Sequence, residues 1–557
     1  MIGTKDCQTG TKKNFLVDQF SELQDFIDRY DVIIGHNIID FDIPILERFL
    51  ETSFKQHQVV DTLVLSRLYN PQLEGGHSLR AWGERLKFPK GDYDDWTQLT
   101  PEMVTYCEQD CDVTHKLYEV LTEKLEEFGD VSINLEHEVQ TVITSQVRNG
   151  WLLDQKKCYD LLAELKQRKM EVEYDVHKRF KALPVFVKEI TPKHNKDGRL
   201  STVGLRFFGD NLPSICGPFS RIDFPEFNLG SRKQIGRYLQ FFGWVPRTYT
   251  EKGNVIVDEA VLSKVKGIPE ASLIAEYLLI QKRMAQIDSW LTEEQKTNDG
   301  RVHGRVNPIG AVTGRMTHSS PNMAQVPANY SPYGLECRSC WIVPKGYKLV
   351  GVDASGLELR MLAHYMDDEG YTDEVINGDI HTANQIASGL ATRDSAKTFI
   401  YAFLYGAGDA KIGSIVGGSK KDGERLKHKF LTNTPSLRQL RERVVLSSQR
   451  GYLKGIDGRK LIIRSEHASL NTLLQSAGAV IMKKALTILD EYATIHNIDY
   501  KFVGNIHDEF QAEVREDQVD NFGWLAVECI KSAGLKFNLR CPLDGEYKVG
   551  NTWAETH

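Results

Sequence analysis

The sequence predicts a multidomain protein of mixed α/β and α+β class. Three observations predict it. At 557 residues the chain outgrows one hydrophobic core, and about three to four domains are expected at ordinary domain sizes. Apolar runs that end in polar or acidic residues occur near the start (DVIIG, 31–35) and again after residue 345 (YKLVGVDASG and DYKFVGNIHDEFQAEV), as strands delivering side chains to a sheet edge would. Between them lie long stretches with helical periodicity.

Each part follows from its own pattern. Residues 1–125 read as α/β, with the run DVIIG followed later by the helical EMVTYCEQDCDVTHKLYEVLTEKLEEF. Residues 135–182 read as long helices broken at Gly150. Residues 184–226, rich in proline and glycine, read as an irregular insertion. Helical periodicity returns in SRKQIGRYLQFF and ASLIAEYLLIQKRMAQIDSWL, and from residue 301 strands and helices mix again.

Composition narrows the class. The chain is 41% hydrophobic and 26% charged, as in globular enzymes. We read no apolar run long enough to span a membrane, and expect a cytoplasmic protein. A net charge of −7 does not announce a nucleic-acid binder, but a local basic groove suffices for one. The pairs Cys337/Cys340 and Cys107/Cys111 lack a second pair at zinc spacing, so reduced thiols are expected.

Three segments carry candidate chemistry, each beside a bland alternative. In LVGVDASGLELRMLAHYM a strand runs into Asp353, with the Ala354 carbonyl available to the same ion. Ser355 to Glu358 also matches a helix capping box. In GDIHTANQIASGLATRDSAKTFIYAFLYG, Arg393, Lys397, Tyr401 and Tyr405 recur every four residues, one drifting helical stripe of two cations and two aromatics. That stripe suits a triphosphate followed by a sugar and base, or equally a solvated basic turn above buried rings. In FVGNIHDEFQAEV, His507, Asp508 and Glu509 fall at a turn between apolar strands, either a rigid metal-binding tip or a solvated turn. Phosphoryl transfer needs carboxylates for two divalent cations and positive charge on the leaving phosphates.

Taken together and in this order, the segments resemble motifs A, B and C of family A (Pol I-like) DNA polymerases. The likeness extends through HGRVNPIGAVTGRMTHSSPNMAQVP and LNTLLQSAGAVIMKKAL, and is nearest to replicative polymerases of T-seven-type phages. The resemblance implies a right-hand polymerase fold preceded by an RNase H-like exonuclease domain. It implies the limits 1–125 for a truncated 3′–5′ exonuclease-like domain and 126–300 for a thumb carrying the insertion at 184–226. Palm would be 301–365 with 456–557, and fingers 366–455. It implies that Asp353 and Asp508 hold two Mg²⁺ ions, with Mn²⁺ an accepted substitute. Arg393, Lys397 and His381 would bind the dNTP triphosphate, Lys397 also donating a proton to the leaving pyrophosphate. Tyr401 would stack near the incoming sugar and base and hold Glu358, the gate against a ribose 2′-OH, while Tyr405 would lie beside the templating base. Primer-template DNA would meet Arg315, Gln475, His507 and Arg464 near the primer end, and Ser231, Arg232 and Lys233 at a thumb helix start. Glu358 argues against an RNA polymerase. The joint presence of Asp353, Arg393, Lys397 and Asp508 argues against a purely architectural DNA binder.

The front of the chain resembles the proofreading domain incompletely. Asp42 matches motif II, and Tyr106 with Asp110 match motif III, but no D-x-E pair precedes Asp42. Three readings stay open: a proofreading-dead remnant, a separate peptide supplying the first strand and its acids in trans, or native residues ahead of Met1. The phage relatives bind host thioredoxin through a thumb insertion as a processivity factor. The insertion here is shorter and has a different sequence, so it suits either a processivity partner, without thioredoxin following from the resemblance, or a self-contained loop that partly clamps DNA.

Overall fold

The structure, a computed structural model, describes residues 1–191, 193–197, 199, 201 and 218–557. The chain divides into two compact units, Met1–Asp154 with Thr292–His557, and Gln155–Leu291.

The first unit is built on a four-stranded antiparallel sheet in the order Tyr500–Ile506, Glu509–Arg515, Tyr347–Ala354, Gly545–Gly550. Alternation along the strands divides its faces. Val350, Val352, Ala512 and Val514 are buried in a core with Ala477 and Ile481 of the helix Ser469–Ile495 and Phe522 and Ile530 of the helix Val519–Lys536. Gly351 and Asp353, at the alternate positions, pair in register with Gln511 and Glu509. Ser469–Ile495 is long and apolar enough to cross a membrane, contrary to the sequence reading, but 89% of its apolar window is packed inside the protein. After the helices Leu357–Met366 and Glu369–Ile376 that follow strand Tyr347–Ala354, five more, Ile380–Ser388, Arg393–Leu404, Asp409–Ile415, Lys420–Asn433 and Pro435–Ser448, precede that core helix.

A wholly buried charge network ties three elements of this unit together. Glu136 lies on the helix Asp130–Asn149, Lys483 on Ser469–Ile495, and Asp457 and Arg459 at the turn between strands Tyr452–Lys454 and Lys460–Ile462. The Lys483 ammonium donates to both Glu136 oxygens at 2.7 Å. Arg459 Nη2 reaches Glu136 and Asp457, each at 2.6 Å. No member is more than 6% exposed.

The first 125 residues hold two separate two-stranded sheets. Ile2–Lys5 pairs antiparallel with Lys12–Phe15, and Val32–Gly35 pairs parallel with Gln58–Asp61. Both rest on the helix Pro101–Leu125, started by a Thr100 cap and Pro101 in its first turn. Among the described residues, the outer edge of Ile2–Lys5 and that of Val32–Gly35 take no further strand.

In the second unit, Val172, Val176 and Phe180 pack with Phe227, Ile235, Tyr238 and Ile274. The insertion expected to be irregular forms, at its described ends, an antiparallel ribbon of Val185–Ile190 and Phe219–Asp223. Its β-branched and aromatic residues, Val185, Phe186, Val187 and Ile190 with Ile222, suit strands better than proline content had suggested. Residues 202–217, the middle of that insertion, lie outside the described residues. The eight described cysteines are free thiols.

Candidate active site

Asp353 stands next to last on its strand, directly across from Glu509. The Ala354 N–H donates to the Asp508 carbonyl at 3.3 Å, drawing the hairpin tip to the strand end. His507 takes the left-handed conformation there (φ 61°), which turns the chain in two residues. Asp353 keeps solvent access at its surface, yet the cleft around it removes water. That desolvation, then repulsion from Asp508 and Glu509, pushes its carboxyl up to about 7. Asp508 is raised too, by burial and then by Glu358. Neither takes an ion pair among the described residues. Two crowded acids without a cation are the environment that bound divalent metal relieves, and the Ala354 carbonyl adds a hard oxygen. Among the described residues no group of three or more His, Cys, Asp or Glu has metal-binding placement, so any ion here would complete its shell with water or substrate oxygens.

Glu509, whose role the sequence left unassigned, turns to other partners. It accepts from Trp553 Nε1 at 3.1 Å, from His557 Nδ1 at 2.6 Å and from the Gln511 amide. These bonds hold its carboxyl below the usual range against the effect of its burial.

The helix Arg393–Leu404 starts at a Thr392 cap and displays Arg393, Lys397 and Tyr401 along one stripe. Arg393 and Lys397 are exposed. The Tyr401 ring lies 6.2 Å from His381 and 6.3 Å from the Tyr405 ring, stacked on the latter. Burial, then Arg393 and Lys397, keep His381 below its ordinary value. The partner of Glu358 differs from expectation. Tyr405, not Tyr401, donates its hydroxyl to Glu358 at 3.2 Å, and Arg315 Nη2 donates to the same oxygen at 3.4 Å. Tyr405 caps the helix end one turn beyond Tyr401, which carries its phenol to Glu358 while Tyr401 lies beside His381. The capping-box reading of Ser355 and Glu358 is not realised, because Gly356 is the N-cap and makes no side-chain bond.

Sequence reasoning also passed over Asp379. It caps Ile380–Ser388 and forms a two-bond ion pair with Arg393. The readable signal was an aspartate immediately ahead of an amphipathic helix. Gln475 is half-buried on Ser469–Ile495, His507 is exposed at the hairpin tip, and Arg464 is exposed on the loop before that helix. In the second unit Ser231 caps Arg232–Phe241 through the Gln234 N–H, Arg232 donates to the Val257 carbonyl, and Lys233 is exposed.

In the front segment Asp42 opens the helix Asp42–Leu50, and burial pushes its carboxyl to about 6. Asp110 is ion-paired with Lys90 at 2.7 Å, and the same ammonium lies 4.7 Å from the centre of the Tyr106 ring. Asp61 serves the backbone: it is 1% exposed and accepts from the N–H groups of Asn37, Ile39 and Leu63.

Residues 218–555 match the model of DNA polymerase family A. The chain is 37% identical to the DNA-directed DNA polymerase of Escherichia phage T7, with 95% of this chain and 93% of that protein covered. It is 37% identical, at the same coverage, to the DNA-directed DNA polymerase of Enterobacteria phage T3. The solved POL domain of Pol1 from M. smegmatis, in complex with a DNA primer-template and dNTP, matches with a TM-score of 0.80 at 18% identity. That likeness, over 98% of this chain and 91% of the other, is one of fold.

Proposed function

The chain belongs to DNA polymerase family A, and on that premise we propose that it extends a primer 3′ end with dNTPs, on two divalent cations, in phage DNA replication. The observation that carries the reading is the pair of desolvated carboxylates without an ion pair, Asp353 and Asp508, the second close enough to Tyr401 of the helix Arg393–Leu404 to add to burial and Glu358 in raising its phenol.

Asp353, Asp508 and the Ala354 carbonyl would hold Mg²⁺, with Mn²⁺ able to replace it. When bound, the ions stabilise charge on the attacking and leaving oxygens. The chain's own residues supply the rest. Arg393, Lys397 and His381 bind the triphosphate, and Lys397 gives a proton to the departing pyrophosphate. Tyr401 carries the incoming sugar and base, and Glu358 excludes a 2′-hydroxyl. Tyr405 lies beside the templating base and must release Glu358 when a base pair forms. Arg315, Gln475, His507 and Arg464 meet the primer-template, and Ser231, Arg232 and Lys233 grip duplex phosphates at a helix N-terminus.

We assign 126–300 to the thumb, 301–365 and 456–557 to the palm, and 366–455 to the fingers. The exposed Phe186, Ile222 and Phe224 of the thumb ribbon support a processivity partner, and nothing in them singles out thioredoxin. The protein would work in the cytoplasm of the host.

Residues 1–125 form an exonuclease-like domain that is inactive alone. Lys90 already neutralises Asp110, and only Asp42 remains as a second motif acid. The open edges of Ile2–Lys5 and Val32–Gly35 would accept a further strand carrying a D-x-E pair, whether from a separate peptide or from residues ahead of Met1.

A 5′-labelled primer on a longer template tests both parts. With Mg²⁺ and dNTPs the primer lengthens, and without dNTPs it stays intact. Failure to lengthen sinks the polymerase reading, and rapid shortening sinks the inactive-domain reading.

A further inference from the structure

We infer that Asp379 is a positioning residue for the nucleotide triphosphate, a single carboxylate that sets both Arg393 and the helix start carrying His381. The inference rests on the reading of those two residues as triphosphate ligands.

The geometry is that of a hub. Asp379 Oδ2 accepts from Arg393 Nε at 2.7 Å and from the Thr382 hydroxyl at 2.8 Å. Oδ1 accepts from Arg393 Nη2 at 3.0 Å and from the backbone N–H groups of His381 and Thr382 at 3.1 and 3.3 Å. One side chain thus joins the N-terminus of Ile380–Ser388 to the first residue of Arg393–Leu404. The two bonds to Arg393 occupy its Nε edge and fix the plane of the guanidinium. Among the described residues its Nη1 takes no hydrogen bond, so the outward corner of the fork is left for an anion.

Two plainer accounts make different predictions. A surface ion pair of half-exposed groups contributes little by itself, and a helix cap contributes only to folding. A carboxylate beside a triphosphate would also repel it, so on charge alone its removal should tighten nucleotide binding. Positioning predicts the reverse. Arginine freed from the fork must be ordered at each binding event, a cost that weakens affinity by about three- to tenfold.

The test is steady-state extension by the full chain on a primed template, with dNTP varied. Asp379→Asn keeps a capping oxygen but loses the charge and the paired acceptor. We expect KM for dNTP to rise about three- to tenfold, while kcat falls less than twofold and the melting temperature is unchanged. In an Arg393→Ala background the same substitution should leave KM where Arg393→Ala has set it. An unchanged or lower KM in Asp379→Asn, with Arg393→Ala raising it, overturns the inference and leaves the triphosphate reading standing. An Arg393→Ala variant with normal KM overturns that reading, and the inference with it.

Discussion

Replacing Glu136 with glutamine removes one negative charge from a site with no water to screen the remainder. In the native protein Glu136, Asp457, Arg459 and Lys483 sum to zero, and Glu136 is the only acid that touches both cations. After the substitution two cations remain against one carboxylate, and Lys483 is left with a neutral amide. Breaking a buried pair in this way costs about 3–5 kcal/mol, since one charge stays uncompensated. For a unit of about 420 residues, unfolding entropy is roughly 0.9 kcal/mol per kelvin at the midpoint, so Tm should fall by about 3–6 °C. Differential scanning calorimetry measures it, and the transition of the larger unit should be the one that moves. The double variant Glu136→Gln with Lys483→Met restores balance, leaving Arg459 with Asp457, and should recover most of the loss. A Tm drop below 1 °C for the single variant, or no recovery in the double, refutes the argument from uncompensated charge.

Further expectations concern activity and pH. Asp508→Asn should reduce extension at least a thousandfold while a gel-shift assay finds primer-template binding within about threefold of the parent. Chelation with EDTA should stop extension, and added Mg²⁺ or Mn²⁺ should restore it in a primer-extension assay. Glu358→Ala should raise ribonucleotide incorporation about a hundredfold, measured as the ratio of kcat/KM for rNTP and dNTP. Burial holds His36 and His318 at about 4 in the folded chain, below the ordinary 6.5. Depressed values mean that the unfolded chain binds more protons between those limits, so their contribution is full above pH 6.5 and is lost as pH falls toward 4. Urea midpoints between pH 7 and 4 should therefore decline less steeply in His36→Asn than in the parent.

The chemistry-bearing elements were legible because local sequence determines them. A strand ending at Asp353, a helix from Arg393 and a hairpin at His507 each need only short-range pattern, and each formed as read. What could not be read depends on contacts between distant segments. Tyr401 and Tyr405 share one stripe, and only the fold's placement of Glu358 beside the helix end chooses between them. Lys90 reaches Asp110 across twenty residues, and Glu509 finds its partners in the last five residues. Asp379 was within reach of sequence reasoning as a helix cap, but its pairing with Arg393 requires two helices to meet. The helix Ser469–Ile495 illustrates the opposite trap, since composition alone does not tell a core helix from a membrane span.

The two two-stranded sheets of the front segment bear on how this protein behaves in a test tube. Among the described residues neither outer edge pairs with a further strand, and the Val32–Gly35 edge carries valine and isoleucine with no charge to repel a neighbour. On the other sheet Lys5 and Lys12 pair with Asp112 and Glu108, and Lys13 pairs with Glu22, so little free charge guards that edge either. Such edges recruit strands from whatever molecule is nearest. At high concentration that molecule is another copy, so solubility should worsen with protein concentration and improve when a short strand-forming peptide is added during purification.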